Sequence, residues 1–146
     1  MPHLTASVSS TGALLRIHIG PSRERLAALK DAGKRAPPLV SAWALIDTGA
    51  ERTVIDLPIV AKLGLVPTGT ISMHTPSTGS TPHETYLYDV GIHFYDDADN
   101  YLVNRPLAVT GVDLSNCGCE VLIGIDLLSK CLLVFDGRAN TFALAF

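Results

Sequence analysis

Residues 42–56 read AWALIDTGAERTVID, and no other stretch constrains the chain as much. Trp43, Leu45 and Ile46 read as a buried strand that ends in an acid, Asp47. A buried carboxylate costs several kcal/mol unless it is hydrogen-bonded or shares its proton. A strand that delivers one therefore needs a use for it. Thr48 and Gly49 allow a tight turn with backbone N–H groups close to the acid. The residues make Asp47 a candidate catalytic acid/base. The bland alternative is an Asp-Thr-Gly turn in a β-protein.

The totals narrow what surrounds this stretch. A chain of 146 residues is expected to form one domain, residues 1–146, and 47% apolar residues supply a core for it. Charged residues are 17% and the net charge is −3, which leaves no basic footprint for nucleic acid. No apolar run reaches the roughly 18 residues of a membrane-spanning helix. The start, MPHLTASVSS, lacks the basic and apolar regions of a signal peptide, so a cytoplasmic location and no membrane partner are expected. The three cysteines, Cys117, Cys119 and Cys131, are an odd number, which argues against a disulfide framework. Cys117-Gly118-Cys119 has one intervening residue where metal and redox pairs usually have two, and no matching His/Cys group accompanies it. The expectation is no metal and no cofactor, with two loop thiols and one buried apolar cysteine. A metal or redox role for the pair is the sharper alternative.

Taken in order, the chain reads mostly as strands. Leu4, Ala6 and Val8 alternate, residues 9–12 turn, and Leu15, Ile17 and Ile19 alternate again, which predicts a β-hairpin. Residues 21–38 interrupt as a surface insertion, and its charged part, 23–34, has the makings of a short helix. Residues 39–46 and 53–55 are strands. Asp56, Pro58 and Gly64 punctuate a short helix at 57–63. Residues 71–75 and 85–94 form a long hairpin with a Ser/Thr/Gly/Pro tip, and Tyr86, Tyr88, Val90, Ile92 and Phe94 share one face. Residues 96–100 make an acidic turn, 101–110 a strand and 111–119 a loop. Val121-Leu122-Ile123 is wholly apolar and so expected to be a central strand. Residues 126–130 form a short helix, and 132–135 with 141–146 a last hairpin. That final strand, with Phe142, Leu144 and Phe146 alternating, needs a cover from its own core or from a partner.

Ala44-Leu45-Ile46-Asp47-Thr48-Gly49-Ala50 resembles the active-site signature of retropepsin-like aspartic proteases. The alanine after the glycine is typical of that branch. Four further features carry the resemblance: two apolar residues before the acid, the Thr53-Val54-Ile55 strand after it, a glycine-tipped hairpin next, and Val121-Leu122-Ile123-Gly124-Ile125-Asp126-Leu127-Leu128. The last is similar to the family's second signature, an apolar triplet, glycine, any residue, Asp or Asn, then leucines on a helix. Order and spacing fit over residues 14–146. The resemblance implies an all-β, retropepsin-like acid-protease barrel with a flap hairpin and one or two short helices. The insertion at 21–38 is longer than compact viral members carry.

It also implies an activity. Aspartic proteolysis uses two carboxylates sharing one proton, because like charges about 3 Å apart cannot both ionise. The sequence holds one Asp-Thr-Gly, so the family pattern implies a homodimer with Asp47 of each subunit at the two-fold axis, acting on extended polypeptide. Thr48 resembles the residue whose hydroxyl bonds across the dyad. Gly49 would let substrate backbone approach, and Ala50 leaves room beside the dyad. The hairpin at 71–94 would be the flap, with Ser77, Thr78, Gly79 and Ser80 at its tip against substrate. Gly124 and Asp126 form the structural second signature, and Asp126 is expected to pair with Arg52. Viral members often carry arginine before this acid, where this chain has Ile125.

Bland readings stand beside these. Glu51 either faces the cleft and sets substrate preference or is a solvated loop charge. His74 and His83 either tune activity with pH or are simply solvated. Tyr86 and Tyr88 either line the cleft or pack on the sheet. For the whole chain, the aspartic endopeptidase has one rival, a catalytically weak or inactive retropepsin-like dimerisation or peptide-binding module, because fold does not fix function.

Overall fold

The computed structural model describes residues 2–73, 81–98, 101–103 and 106–146, with backbone alone at 101–103. Among the described residues, eleven strands and three short helices run in the order β1 (His3–Ser7), β2 (Leu14–Pro21), α1 (Arg23–Asp31), β3 (Val40–Ile46), β4 (Val54–Asp56), α2 (Leu57–Leu63), β5 (Gly69–Met73), β6 (His83–Tyr95), β7 (Tyr101–Val103), β8 (Leu107–Val112), β9 (Val121–Ile123), α3 (Ile125–Leu128), β10 (Leu132–Asp136) and β11 (Thr141–Ala145). The larger sheet runs β2-β3-β9-β4-β8-β6, and β6 pairs back onto β2, so six strands close into a barrel. β5 and β7 extend from β6, and β1, β11 and β10 form a separate three-stranded sheet.

Strand alternation sorts the side chains. Ile17, Ile19, Ala42, Ala44, Ile55, Val90, Ile92, Val109, Val121 and Ile123 are buried without residual exposure and belong to one apolar cluster. Phe142 and Leu144 of β11 join that cluster, and the Phe146 ring lies 4.6 Å from that of Phe94. The last strand is thus covered by the chain's own core. β9 is central, with β3 parallel on one side and β4 antiparallel on the other.

Three expectations are corrected. The strands of the first hairpin exist, but they do not pair with each other. A Ser9–Gly12 bridge turns the chain, after which β1 pairs with β11 and β2 with β3. Leu4 and Ala6 face Leu144 and Phe142 across that ladder. Trp43 is 44% exposed, and it is the small Ala42 and Ala44 that point inward. The Arg16 guanidinium, on the paired strand, covers the indole at 4.4 Å instead. The strand expected at 101–110 is two, β7 and β8, with Pro106 just ahead of β8. The helices are few and short, as expected, and the charged segment after β2 does form one, α1, N-capped by Ser22 and burying none of its side chains.

The helix at 57–63 matches its sequence punctuation residue for residue. Proline occupies its first turn, and Gly64 closes it at φ 56°, a conformation that suits glycine. Asp56 stands at the N-cap position, but its carboxylate accepts from the Leu114 N–H at 3.0 Å, pinning the loop before β9 rather than capping α2.

Candidate active site

Asp47 follows directly on β3, at the barrel end where β9 also stops. Its N–H donates to the carbonyl of Ile123 at 3.0 Å, and its carbonyl accepts from Ala50 N–H at 3.2 Å. Its carboxylate Oδ1 accepts from the Gly49 N–H at 2.9 Å. The acid therefore orders its own turn, as the Thr-Gly pair after it suggested. Asp47 is half-buried, while Thr48 and Gly49 are exposed. Among the described residues no hydrogen bond engages Oδ2 of Asp47, so one carboxylate oxygen is left for chemistry.

The stretch after the turn is held from beneath. Ile125 N–H donates to Ala50 O at 2.8 Å, and Asp126 N–H to Glu51 O at 3.2 Å. Gly124 N–H donates to Thr53 Oγ1 at 3.1 Å. The Asp126 carboxylate accepts from Thr53 N–H at 3.0 Å and from its hydroxyl at 2.8 Å. A Cβ on Gly124 would stand 2.6 Å from the Arg52 carbonyl carbon and 2.9 Å from Ala50 O, so the two backbones approach as only glycine permits. The segment 124–126 thus acts as a clamp under residues 50–53.

Here one expected contact fails. Asp126 makes no ion pair with Arg52. Its oxygens are taken up by Thr53 and by the Leu127 N–H, which satisfies a half-buried carboxylate without a cation. Thr53, fully buried, is the residue the sequence reading missed. Its signal was a hydroxyl at the mouth of an apolar strand, where a buried polar group needs partners.

The remaining candidates fall into place as follows. Ala50 and Arg52 are half-buried in the clamped stretch, and Glu51 is exposed. β5 and β6 form the expected long hairpin, with Met73 paired to His83 at its far end. Ser77, Thr78, Gly79 and Ser80, and His74, lie outside the described residues. His83 is exposed, Tyr86 is 55% exposed, and Tyr88 packs into the core. Cys117 is exposed, Cys119 buried and Cys131 intermediate, all three as free thiols. Burial pushes the Cys119 and Cys131 thiols above their ordinary pKa. Among the described residues no three His, Cys, Asp or Glu side chains gather as a metal ion would need, and no helix is long and apolar enough to cross a membrane.

The sheet places a second feature beside Asp47. Register pairs Leu45 with Leu122, Leu122 with Val54, Val54 with Thr110, and Thr110 with Leu87. Paired residues on adjacent strands share a face. These five form one row across β3, β9, β4, β8 and β6, on the face opposite the core cluster, which contains none of them. The row begins two residues before Asp47 and ends on the β5–β6 hairpin. An apolar row with one hydroxyl in it therefore crosses the sheet from beside the acid to the hairpin, buried at Val54 and Thr110.

No family model matches the sequence, and no curated protein sequence matches it. Solved structures do. The chain is similar to a retropepsin-like aspartic protease from Rickettsia conorii, with a TM-score of 0.59, 13% identity, and 99% of this chain and 90% of that one covered. A retroviral protease-like domain of Ddi1 from Leishmania major aligns with a TM-score of 0.43, 14% identity, and 89% and 86% coverage. The first of these likenesses, together with the six-stranded barrel, gives the chain the retropepsin-like fold.

Proposed function

We propose that this chain is one subunit of a homodimeric aspartic endopeptidase that hydrolyses peptide bonds in extended polypeptides. The observation that carries the reading is the clamped Asp47 turn: a half-buried carboxylate, ordered by the Gly49 N–H, on a stretch laced by backbone bonds to residues 124–126. A solvent-exposed turn needs no such support. Preorganised acids do, because a misplaced reacting group forfeits most of its advantage.

One carboxylate cannot be acid and base at once. Asp47 and the partner subunit's Asp47, brought face to face across a two-fold axis, would share one proton, since two adjacent carboxylates do not both ionise. The ionised member takes a proton from water as the water oxygen attacks the peptide carbonyl. The protonated member donates to the carbonyl oxygen, and the proton gained by the base passes to the departing amine. Thr48, exposed beside the acid, would bond across the dyad, and Gly49 and Ala50 leave space for substrate backbone. The β5–β6 hairpin would serve as the flap, pairing main chain to main chain with the peptide.

The test is cleavage of a peptide library from about pH 3 to pH 8 by wild type and by Asp47→Asn, read by mass spectrometry. Cuts made by wild type and lost in the variant, with unchanged melting, are the expected result. Asparagine keeps the oxygen that accepts from Gly49, so the turn survives. Equal cutting by both proteins would sink the assignment. No cutting by either, with both still dimeric and folded, would leave a peptide-binding or dimerisation module instead.

A further inference from the structure

The three-stranded sheet β1-β11-β10 has two outer edges, and the chain treats them differently. The β1 edge is closed. Thr5 N–H donates to Asp97 Oδ1 at 2.9 Å, and His3 O accepts from the Asp97 N–H at 3.1 Å. The turn after β6 thus occupies that side. The β10 edge is open: among the described residues, Leu132–Asp136 make no backbone bond beyond their ladder with β11. Three large apolar side chains on this edge are more than half exposed, Leu132 at 57%, Val134 at 51% and Phe135 at 57%. Leu132 and Val134 stand on the outward face beside Ala145 and Ala143, and Phe135 on the other face beside the buried Phe142. Natural edge strands are blunted by charge, proline or a bulge, because unpaired N–H and C=O groups recruit another strand. Leu132-Leu133-Val134-Phe135 carries neither charge nor proline.

We infer that β10 is a self-association edge: it pairs antiparallel with β10 of a second copy of this chain, and two three-stranded sheets join into one of six strands. The inference rests on the homodimeric reading above, in which one copy holds only half of the acids. Charge selects both the occupant and the register. With Leu133 opposite the partner's Leu133, Leu132 faces the partner's Val134, and Asp136 comes opposite the partner's Lys130. Two-fold symmetry makes each of these pairs twice. A shift of two residues one way sets Asp136 against the partner's Leu132 and Lys130 towards the partner's Arg138. The same shift the other way sets Val134 against the partner's Lys130. A shift of one residue puts outward side chains beside inward ones. The join also bears on the acid. Three residues separate β10 from α3, and α3 opens on the segment that clamps residues 50–53, so the paired edge anchors the support of the Asp47 turn.

Sedimentation equilibrium over a concentration series compares wild type, Leu132→Lys, Val134→Asp and the double variant carrying both. Both positions are exposed, so the monomer fold should survive, and melting at a dilution where every protein is monomeric should match wild type. Wild type is expected to dimerise. Each single substitution sets a charge against an aliphatic side chain twice per dimer and should weaken association by about a hundredfold. The double variant places the new lysine opposite the partner's new aspartate at both ends, and should recover to within about tenfold of wild type. A wild-type dimer that neither single substitution weakens would overturn the assignment and leave the peptidase reading to another interface. Weakening by both single substitutions without recovery in the double variant would overturn the antiparallel self-pairing. A wild type that stays monomeric at every concentration would remove the second copy altogether. Cleavage is read separately and should fall in step with the dimer. Monomeric single variants that still cut like wild type would sink the shared-acid reading while leaving β10 as the edge of association.

Discussion

Gly124 has no room for a side chain. A methyl group there would stand 2.6 and 2.7 Å from the carbonyl atoms of Arg52 and 2.9 Å from Ala50 O, and those atoms are backbone that cannot swing aside. Gly124→Ala must push residues 50–52 away and loosen the Thr53 bonds below Asp47. The expected loss is about 2–3 kcal/mol in denaturant unfolding, the range of an overpacked core. Any cleavage activity should fall further than the stability loss explains, because the displaced stretch is bonded to the acid's turn through the Ala50 N–H and Asp47 O. A variant as stable as wild type would show that the clamp is not tight. At this scale the sequence pointed to one bond that the fold does not make. Asp126 was legible as a support, because it sits at a helix start after an invitingly placed glycine. Its partner was not, because Arg52 and Thr53 are adjacent in sequence and only the three-dimensional approach of 124–126 decides which of them meets the carboxylate.

The seam between β2 and β6 closes the barrel, and two histidines face each other on it, His18 against His93. Burial lowers the pKa of His93 first, and the neighbouring His18 lowers it further. The unfolded chain takes up this proton near pH 6.5, while the folded chain resists it. The unfolded state therefore binds more protons as pH falls, and this part of the stability is present above about pH 6.5 and is lost below it. Melting temperature should decline between pH 7 and pH 5, and His93→Gln should flatten that decline. A slope unaltered by the substitution would place the titrating group elsewhere. Elements themselves were largely legible. The α2 boundaries follow from a proline and a glycine, and the β5–β6 and β10–β11 hairpins from alternation across turn residues. The pairing of β1 was not, since a period-two pattern says which residues face the same way and nothing about which strand lies alongside.

For the molecule as a whole, the proposed dyad requires two copies. Activity per subunit should fall on dilution as dimers dissociate, in step with the sedimentation coefficient. Mixing a fixed amount of wild type with an equal amount of Asp47→Asn should cut its activity to about half, because subunits pair at random and only the wild-type pairs hold two acids. Activity untouched by the variant, under conditions where subunits exchange, would mean that each chain works alone. The sequence by itself determined what is local here: the period of each strand, the helix punctuated by proline and glycine, the acid-glycine turn, and the apolar triplet with its glycine. These depend on side-chain chemistry within a few residues. Tertiary structure alone decided the closure of β2 onto β6, the seat of β1 against β11, the bonding of Asp126 to Thr53, and the row that sets Leu45, Leu122, Val54, Thr110 and Leu87 side by side. Those pairings join residues far apart in the chain. They are chosen by which faces can be buried together, a property that belongs to the assembled sheet and not to any one stretch of it.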